Sequence, residues 1–299
     1  MDCEVYMHGQ VLGSHLFLLK GEFLQPDEYS EIKEKYFLPG GETGTAATVL
    51  SSFGVKVKIA GTHIGTEVAP VLKEFYQGKT VDLSSLYFDP DYQGLMDYVI
   101  IAGKVRSPMG MFQALYEPGA KKRWSMPKEE DVIACKVAAI DPFFLEETMT
   151  AAELCVKHGK PYVTIDCHHD SFLHQHCAIN VVSKECTESE AYRGKSIEEI
   201  YQLLTDHTDG LVIITQGEKD MIFGRKGQPM KRMKPFPAVV RSTLGAGDTY
   251  KAGCIYGLLH GMEDEELVRF ASACSAVAIS RFPLPLNPPR LEEVKELLL

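Results

Sequence analysis

The sequence has no long apolar run and no excess of positive charge, and each absence excludes a class of protein. No stretch approaches the about 20 apolar residues that a membrane-spanning helix needs. Residues 1–4 lack the basic and apolar parts of a secretory signal peptide. The chain carries 31 Lys and Arg against 41 Asp and Glu, a formal net charge of −10. A nucleic-acid or acidic-membrane partner is therefore not expected, because both need a basic surface.

Closely spaced cysteine pairs are also missing. The eight cysteines are scattered without a Cys-x-x-Cys pair, in a 299-residue chain that is large enough to fold without disulfides. Reduced thiols in a cytoplasmic protein are therefore expected. The densest group of candidate metal ligands, four histidines and two cysteines within 166–177, fits no standard zinc-finger spacing. A structural metal, a substrate-side loop and a plain loop all remain open for this segment.

Apolar strands and helices alternate along the chain, most clearly after residue 132. Strands are predicted over residues 5–12, 55–60, 137–140, 162–166, 179–182 and 211–215. Helices are predicted over residues 45–53, 67–76, 148–158, 196–206, 246–260, 265–281 and 291–299. This alternation predicts one α/β domain over residues 1–299, with a mostly parallel sheet covered on both faces. In such sheets, ligands bind beyond the carboxyl ends of the strands.

The most informative stretch is Gly245-Ala246-Gly247-Asp248, at the start of a predicted helix. Glycines let a ligand approach the main chain closely. The first turn of a helix also has N–H groups without intrahelical acceptors, which favour an anion. Residues 245–247 are therefore predicted to hold a phosphate. Asp248 would repel that phosphate, so we predict that it accepts the proton of an attacking hydroxyl. A plain helix start capped by Thr243 is the alternative.

The wider string resembles the Asp-Thr-x-Gly-Ala-Gly-Asp-x-Phe-x-Ala-Gly signature of the ribokinase (PfkB) family of carbohydrate kinases. The matching positions are Thr243, Gly245, Ala246, Gly247, Asp248, Ala252 and Gly253. Tyr250 stands for the aromatic residue, and Ser242 replaces the leading aspartate. The resemblance implies a ribokinase-like three-layer αβα domain with a mostly parallel central sheet and a small β lid. It also implies an ATP- and Mg²⁺-dependent kinase that transfers the γ-phosphoryl group to a hydroxyl of a sugar or sugar acid.

The same resemblance places the nucleotide against the second half of the chain. Thr215 and Gly217 look like the family's nucleotide-side Thr-x-Gly turn, although a strand that ends in this way is common in α/β proteins. Thr243 and Ser272 are the other residues expected near the nucleotide. Ser272 is equally well explained as a small residue on a packed helix face.

The metal is expected at Glu190. This residue and Ala191 look like the end of the family's Asn-x-x-Glu-Ala motif, with Thr187 in place of the asparagine. The resemblance implies that Glu190 holds Mg²⁺ through water, since Mg²⁺ usually keeps several of its waters. Glu185 and Glu188 in the same acidic run remain the alternatives.

On the substrate side the match is weaker. Gly40-Gly41 before a buried helix resembles the family's sugar-side motif, but Ser14 and Thr45 stand where relatives commonly have Asp and Asn. His168 is expected to face the cleft. A site that hydrogen-bonds hydroxyls rejects ligands without them, so these changes predict a different substrate or pose. A nucleoside kinase, and a ligand-binding protein on the same fold without turnover, remain alternatives.

Two segments, about 11–39 and 84–125, are expected to form the lid over the substrate. The resemblance suggests a homodimer through this lid. Lys251, beside the anion-binding turn, is expected to face solvent. Arg106, in the second lid segment, is one of the basic residues able to reach an acidic group on the substrate.

Overall fold

The computed structural model describes residues 3–23, 27–103 and 105–299, so residues 24–26 and 104 of the two expected lid segments lie outside the described residues. The strands are β1 (Val5–Gly9), β2 (Leu12–Leu19), β3 (Ile32–Gly40), β4 (Val57–Gly61), β5 (Val81–Ser85), β6 (Met96–Ala102), β7 (Val105–Gly110), β8 (Val137–Ile140), β9 (Tyr162–Ile165), β10 (Ile179–Val182), β11 (Leu211–Ile214), β12 (Met221–Gly224) and β13 (Lys231–Met233). The helices are α1 (Glu42–Ser52), α2 (Val68–Tyr76), α3 (Glu129–Ala134), α4 (Leu145–Lys157), α5 (Phe172–His176), α6 (Lys184–Thr187), α7 (Ile197–Asp206), α8 (Ala246–Leu259), α9 (Asp264–Ile279) and α10 (Leu291–Leu298).

A nine-stranded sheet forms the centre of the fold, in the order β13-β12-β11-β10-β9-β8-β1-β4-β5. Seven neighbouring strands, from β11 to β5, are parallel, and β12 and β13 run antiparallel at one edge. Val5 and Met7 of β1 belong to the apolar cluster that contains α1, α8 and α9, whereas Tyr6 belongs to the cluster with α4. Because side chains alternate along a strand, the sheet is covered on both faces. The expected αβα architecture is confirmed.

The carboxyl ends of the parallel strands meet at one edge of this sheet. His8 is in register with Ile140 and Ala60, so β1, β4 and β8 end together. The segments after β1 and β8, and the starts of α1 and α8, are the parts of the chain that build the candidate site.

The first strand is shorter than expected, and the prediction of one strand over residues 5–12 is wrong. β1 ends at Gly9, and a second strand begins at Leu12 in a different sheet. The side chain of Thr62 bridges the break, because its hydroxyl donates to the Gly9 carbonyl and accepts from the Val11 N–H, each at 3.0 Å. These bonds replace strand pairing and let the chain leave the central sheet.

Four strands form a separate small sheet in the order β3-β2-β6-β7, with β2 and β6 parallel and the other pairs antiparallel. All four lie in the two segments expected to form the lid, with β3 extending one residue beyond the first segment to Gly40. One face buries Leu16, Val99 and Ile101 against Leu244 and Phe282, which lie beside the start of α8 and near the C-terminus of the chain. This contact places the small sheet over the edge where the parallel strands end.

Helices α8 and α9 approach each other very closely. A Cβ atom on Gly253 would lie 2.6 Å from Ala271 Cα, so this position leaves no room for a side chain. The contact holds α8, and with it the glycine turn that precedes it, firmly against the rest of the domain. Within the part of the chain that the structure describes, no helix is long and apolar enough to cross a membrane.

Candidate active site

A left-handed glycine begins α8. Gly245 has φ 76° and ψ 9°, a conformation that side chains disfavour, and the helix follows from Ala246. A Cβ atom on Gly245 would lie only 2.5 Å from Leu284 Cδ2. Both the backbone conformation and the close packing therefore require glycine at this position.

The first turn of α8 presents free backbone donors. Within the described ranges, the N–H groups of Gly245, Gly247 and Asp248 have no protein acceptor. The N–H of Ala246 differs, because it donates to the Thr243 carbonyl at 3.2 Å. Gly247 is exposed, and a Cβ atom there would meet nothing within 4 Å. The turn thus has open space beside it and donors at the positive end of a 14-residue helix, which is the arrangement that binds phosphate.

The Asp248 carboxylate stands in the same turn, partly exposed, and makes no hydrogen bond to any described residue. Burial raises the pKa of Asp248, and the neighbouring Asp141 carboxylate acts in the same direction. The Lys251 ammonium opposes them and lowers this pKa, as does the Arg106 guanidinium, which comes from β7 of the small sheet. A carboxylate with a raised pKa and free oxygens is suited to accept a proton from a bound hydroxyl.

A buried ion pair lies beneath Asp248. Lys251, one turn further along α8, is completely inaccessible, and its Nζ donates to Asp141 Oδ1 at 2.7 Å. The other oxygen of Asp141 accepts from the Thr43 hydroxyl at 2.7 Å. The expectation that Lys251 faces solvent is wrong, because α8 is packed on every side and the residue finds its counter-charge at the end of β8. The pair joins the start of α8 to the end of β8 and to α1.

Glu42 is the first residue of α1 and completes a group of acidic side chains at this edge. Burial raises the pKa of Glu42 to about 8, and the Asp248 and Asp141 carboxylates add to the effect. The Glu42 Oε2 atom is buried and has no hydrogen-bond partner in the described part of the chain. The starts of α1 and α8 are also in direct contact, since a Cβ atom on Gly245 would lie 3.1 Å from Thr45 Cγ2.

The expected substrate-side glycines lie against the turn between β1 and β2. A Cβ atom on Gly40 would lie 2.0 Å from Ser14 Oγ, and one on Gly41 would lie 2.6 Å from the Gln10 carbonyl oxygen. Gly41 also has a φ of +80°. These glycines therefore let α1 begin close to the strand ends.

Ser14 is buried on the face of the small sheet that carries Leu16 and Val99, directly opposite Asp97 of β6. Burial raises the pKa of Asp97, while the hydrogen bond from Ser14 lowers it. The Oδ1 atom of Asp97 is buried and finds no partner among the described residues. The small sheet therefore supplies a carboxylate at the place where the sequence offered only a serine.

The nucleotide-side candidates are more scattered. Thr215 lies directly after β11, with its hydroxyl 3.4 Å from the Val182 carbonyl, and the exposed Gly217 has φ 65°. Thr243 precedes α8, and its carbonyl accepts the hydrogen bond from the Ala246 N–H. Ser272 is buried on α9, where its hydroxyl accepts the Phe236 N–H at 3.3 Å. Thr215 and Gly217 remain accessible at the sheet edge, whereas Ser272 already has a structural role.

Glu190 lies on a 3₁₀ turn after α6, with a side chain that is 74% exposed and paired with Arg193. Its role in holding Mg²⁺ stays a prediction, and this position does not favour it. In the residues that the structure describes, no group of three or more His, Cys, Asp and Glu side chains is arranged to hold a metal ion. Mg²⁺ usually keeps several waters and takes phosphate oxygens of the substrate as ligands, so sites for this cation often have few protein carboxylates.

Two of the four histidines of segment 166–177, His168 and His174, are hydrogen-bonded to protein groups. His168 Nδ1 lies 2.6 Å from Asp170, and its ring packs on Tyr192 at 5.2 Å. His174 is buried, with its two ring nitrogens bonded to the Leu204 carbonyl and to Asn180. This arrangement does not favour the zinc alternative, and the expectation that His168 faces the cleft stays a prediction.

Four residues of the site were missed by the sequence analysis as contributors: Glu42, Asp97, Asp141 and Lys251. Asp141 had a usable signal, because it follows a predicted buried strand at the ligand-binding edge. Glu42 had a weaker signal, because it directly follows the Gly40-Gly41 pair. Nothing in the sequence pairs Lys251 with Asp141, or Asp97 with Ser14, because these contacts depend on sheet order.

Comparison with known proteins agrees with this geometry. The pfkB family of carbohydrate kinases matches residues 15–284. A 5-dehydro-2-deoxygluconokinase of Bacillus licheniformis is 24% identical over 93% of this chain and 91% of its own length.

Two solved structures show the same fold. A ribokinase of Arabidopsis thaliana in complex with ribose and ATP has a TM-score of 0.79 at 17% identity, covering 100% of this chain and 99% of its own. A ribokinase-like Escherichia coli protein in complex with ATP and Mg²⁺ has a TM-score of 0.80 at 15% identity, covering 99% of each chain. With the family match extending over most of the chain, and with Asp248 beside a helix start open to a phosphate, the protein belongs to the pfkB family of carbohydrate kinases and is a phosphotransferase with an alcohol group as acceptor.

Proposed function

We propose that this kinase transfers the γ-phosphoryl group of ATP to a hydroxyl of a sugar acid, with Asp248 as the base. The observation that carries the proposal is the turn that begins α8. Among the described residues, it combines a carboxylate free of protein hydrogen bonds with unoccupied amides at Gly245 and Gly247, and Gly247 faces open space. Phosphoryl transfer needs these two elements, an acceptor for the hydroxyl proton and donors for the phosphoryl oxygens.

Each residue of the turn has a defined part in this proposal. Asp248 orients the attacking hydroxyl and accepts its proton as the bond to phosphorus forms. The amides of residues 245–247 stabilise negative charge on the transferred group, with the Ala246 N–H weakened by its bond to Thr243. Lys251 favours the ionised form of Asp248, because its ammonium opposes the rise in the pKa of Asp248 that burial causes. Gly40, Gly41 and Thr45 hold the start of α1 against this turn.

The nucleotide is proposed to lie along the edge formed by Thr215, Gly217 and Thr243. Thr215 and Gly217 are accessible where β11 ends, and the bare backbone of Gly217 leaves room for a ligand. Mg²⁺ bound to ATP would neutralise phosphate charge. Glu190 remains the predicted carboxylate for its water shell, while Ser272 would contribute only as part of the helix behind the site.

The acid group of the substrate is proposed to bind Arg106. This guanidinium is exposed, makes no salt bridge to a described residue, and acts electrostatically on Asp248 from β7. A guanidinium binds carboxylates with two parallel hydrogen bonds. The related Bacillus licheniformis protein is named for a sugar-acid substrate, which supports the same class here. Ser14, with Asp97 beside it, and His168 are the residues proposed to contact the remaining hydroxyls.

The small sheet is proposed to act as the lid of a single kinase domain that works in the cytoplasm. All eight cysteines of the chain are unpaired, as expected for a reducing compartment. A homodimer through the lid is supported by the outer face of the small sheet. There His15 stacks on Phe37 at 4.0 Å, and Tyr98 and Met109 are 43% and 50% exposed.

The proposal is tested with the Asp248→Asn variant. We expect kcat to fall by about 10²–10⁴-fold, because asparagine cannot accept the proton, while ATP binding is retained. The substrates are a panel of sugar acids, neutral sugars and nucleosides, with ADP release as the readout. Asp206→Asn, the same change on the exposed surface of α7, is the control and should keep full activity.

Each outcome of the substrate panel supports one of the candidate functions. Transfer to sugar acids that is lost in Asp248→Asn supports the proposal. Preferential transfer to nucleosides would show that the substrate is a nucleoside rather than a sugar acid. Tight binding without transfer to any acceptor would indicate a ligand-binding protein, and full activity of Asp248→Asn would refute the assignment of the base.

A further inference from the structure

Glu42 lies where the starts of α1 and α8 meet. Gly41, with φ +80°, turns the chain into α1, and the carboxyl group of the next residue, Glu42, lies within electrostatic reach of Asp248 and Asp141. Thr45, three residues later, packs against Gly245. Glu42 is thereby held beside the turn that carries Asp248.

The charges around Glu42 are unbalanced. Three carboxyl groups share this region with one buried ammonium, and Lys251 is already paired with Asp141 at 2.7 Å. Glu42 and Asp248 act on each other electrostatically, and among the described residues no cation forms an ion pair with either of them. The charged or titratable groups that act on Glu42 or lie beside it are Asp248 and Lys251 of α8, Asp141 after β8, and Tyr116 of a 3₁₀ turn. Arg106 of β7 and Asp166 after β9 act in turn on Asp248.

The balance of effects favours the neutral form of Glu42. Burial is the largest cause that raises its pKa to about 8, followed by the two aspartates, while its own backbone N–H and Lys251 work in the opposite direction. At neutral pH the group therefore carries a proton. A neutral carboxyl group is a hydrogen-bond donor as well as an acceptor.

One oxygen of this group is ready for a ligand. Glu42 Oε2 is buried and, within the described residues, has no hydrogen-bond partner. Buried polar atoms in folded proteins are nearly always satisfied, and an exception beside a reaction centre is explained if the ligand supplies the missing partner. In the proposed complex, that partner is an oxygen of the substrate.

We propose that Glu42 is a specificity-determining residue of this kinase, which carries a proton and donates a hydrogen bond to a substrate oxygen next to the hydroxyl that Asp248 activates. The inference rests on the proposed function of Asp248. Because Glu42 is neutral, it also adds no further negative charge at the place where the phosphoryl group of ATP is proposed to bind. Ionisation of Glu42 removes the donor and adds that charge, so both binding and transfer decrease at alkaline pH.

The test compares pH profiles of kcat/KM for the wild type, Glu42→Gln and Glu42→Ala. Above pH 8 the wild-type value should fall about tenfold per pH unit, as for loss of one essential proton. Glu42→Gln, which copies the neutral group, should stay within about threefold of the wild type at pH 7 and lose this alkaline decrease. Glu42→Ala should lose at least about tenfold at every pH, because the substrate oxygen goes unpaired. Glu292→Gln, in the exposed first turn of α10, should follow the wild type.

A direct titration separates this inference from the proposed function. The carboxyl carbons of the wild-type protein are followed by ¹³C NMR, and the signal missing in Glu42→Gln is assigned to Glu42. A midpoint near pH 8 supports the inference, and a midpoint in the ordinary glutamate range overturns it, whether or not the enzyme turns over. Unchanged pH profiles in both Glu42 variants would also overturn it. A wild type that phosphorylates no acceptor, with the NMR midpoint near pH 8, would instead reject the proposed function.

Discussion

Removal of Lys251 is the sharpest test of how this site is built. The ammonium is completely buried, and its only ion-pair partner in the described chain is Asp141, whose side chain is 1% exposed. In Lys251→Met, the methionine fills most of the space, but Asp141 remains as a buried charge whose one side-chain hydrogen bond within the described residues comes from the Thr43 hydroxyl. Breaking a buried pair in this way costs about 3–5 kcal/mol, because the remaining charge is uncompensated. We expect the free energy of unfolding to fall by that amount.

Trp124, the only tryptophan of the chain and 5% exposed, gives a fluorescence signal for urea unfolding. The control is Lys184→Met, which removes a lysine paired with Glu188 at 3.4 Å while both side chains are more than half exposed. An exposed pair contributes at most about 1 kcal/mol, so the control should remain near the wild type.

A second variant separates the loss of charge balance from the loss of packing. In Lys251→Met combined with Asp141→Asn, no buried charge is left, so part of the lost stability should return. If Lys251→Met is no less stable than Lys184→Met, the argument that Asp141 depends on this ammonium is refuted. A double variant that is less stable than the single one would indicate that packing, rather than charge, dominates.

Two further predictions concern the helix contact and the substrate cleft. Gly253→Ala should lower the free energy of unfolding by about 1–3 kcal/mol, because its Cβ would meet Ala271 at 2.6 Å. Gly247→Ala is the control, because its Cβ would meet nothing within 4 Å, and it should change the free energy of unfolding by less than about 1 kcal/mol. Equal losses in urea unfolding would contradict the packing argument. Arg106→Gln should raise KM for sugar acids by at least about tenfold and leave KM for neutral sugars nearly unchanged, since a charge-assisted hydrogen bond is lost. Arg232→Gln, on the edge strand β13, is the control for steady-state kinetics, and an equal rise for both substrate classes would argue against carboxylate binding.

Local sequence patterns predicted much of the central layer. The strands at 137–140 and 179–182 have the predicted limits, because short apolar runs between breakers are typical of buried parallel strands. Helix α8 was also found, since Gly245 marks its start. Element ends were less accurate: β1 stops at Gly9 because Thr62, 53 residues away, takes over its last hydrogen bonds.

The small sheet could be located only roughly. Its strands are joined partly by a parallel pairing of β2 with β6, which are far apart in the sequence. The two segments were expected to form a small β lid, but the order and register of their strands were not predicted. Asp97 lies opposite Ser14 only because of that register, so no local pattern indicates that a carboxylate is present there.

The sequence by itself determined the chemistry of the phosphoryl turn, because Gly245 to Asp248 are adjacent in the chain and a helix start binds anions wherever it occurs. Only the tertiary structure decided the electrostatic surroundings of that turn. Lys251 was expected in solvent and is buried, and Glu42 and Asp141 reach Asp248 from two other segments. The physical reason is that the pKa of a carboxyl group depends on burial and on charges within a few ångströms, and these neighbours are brought together by sheet order.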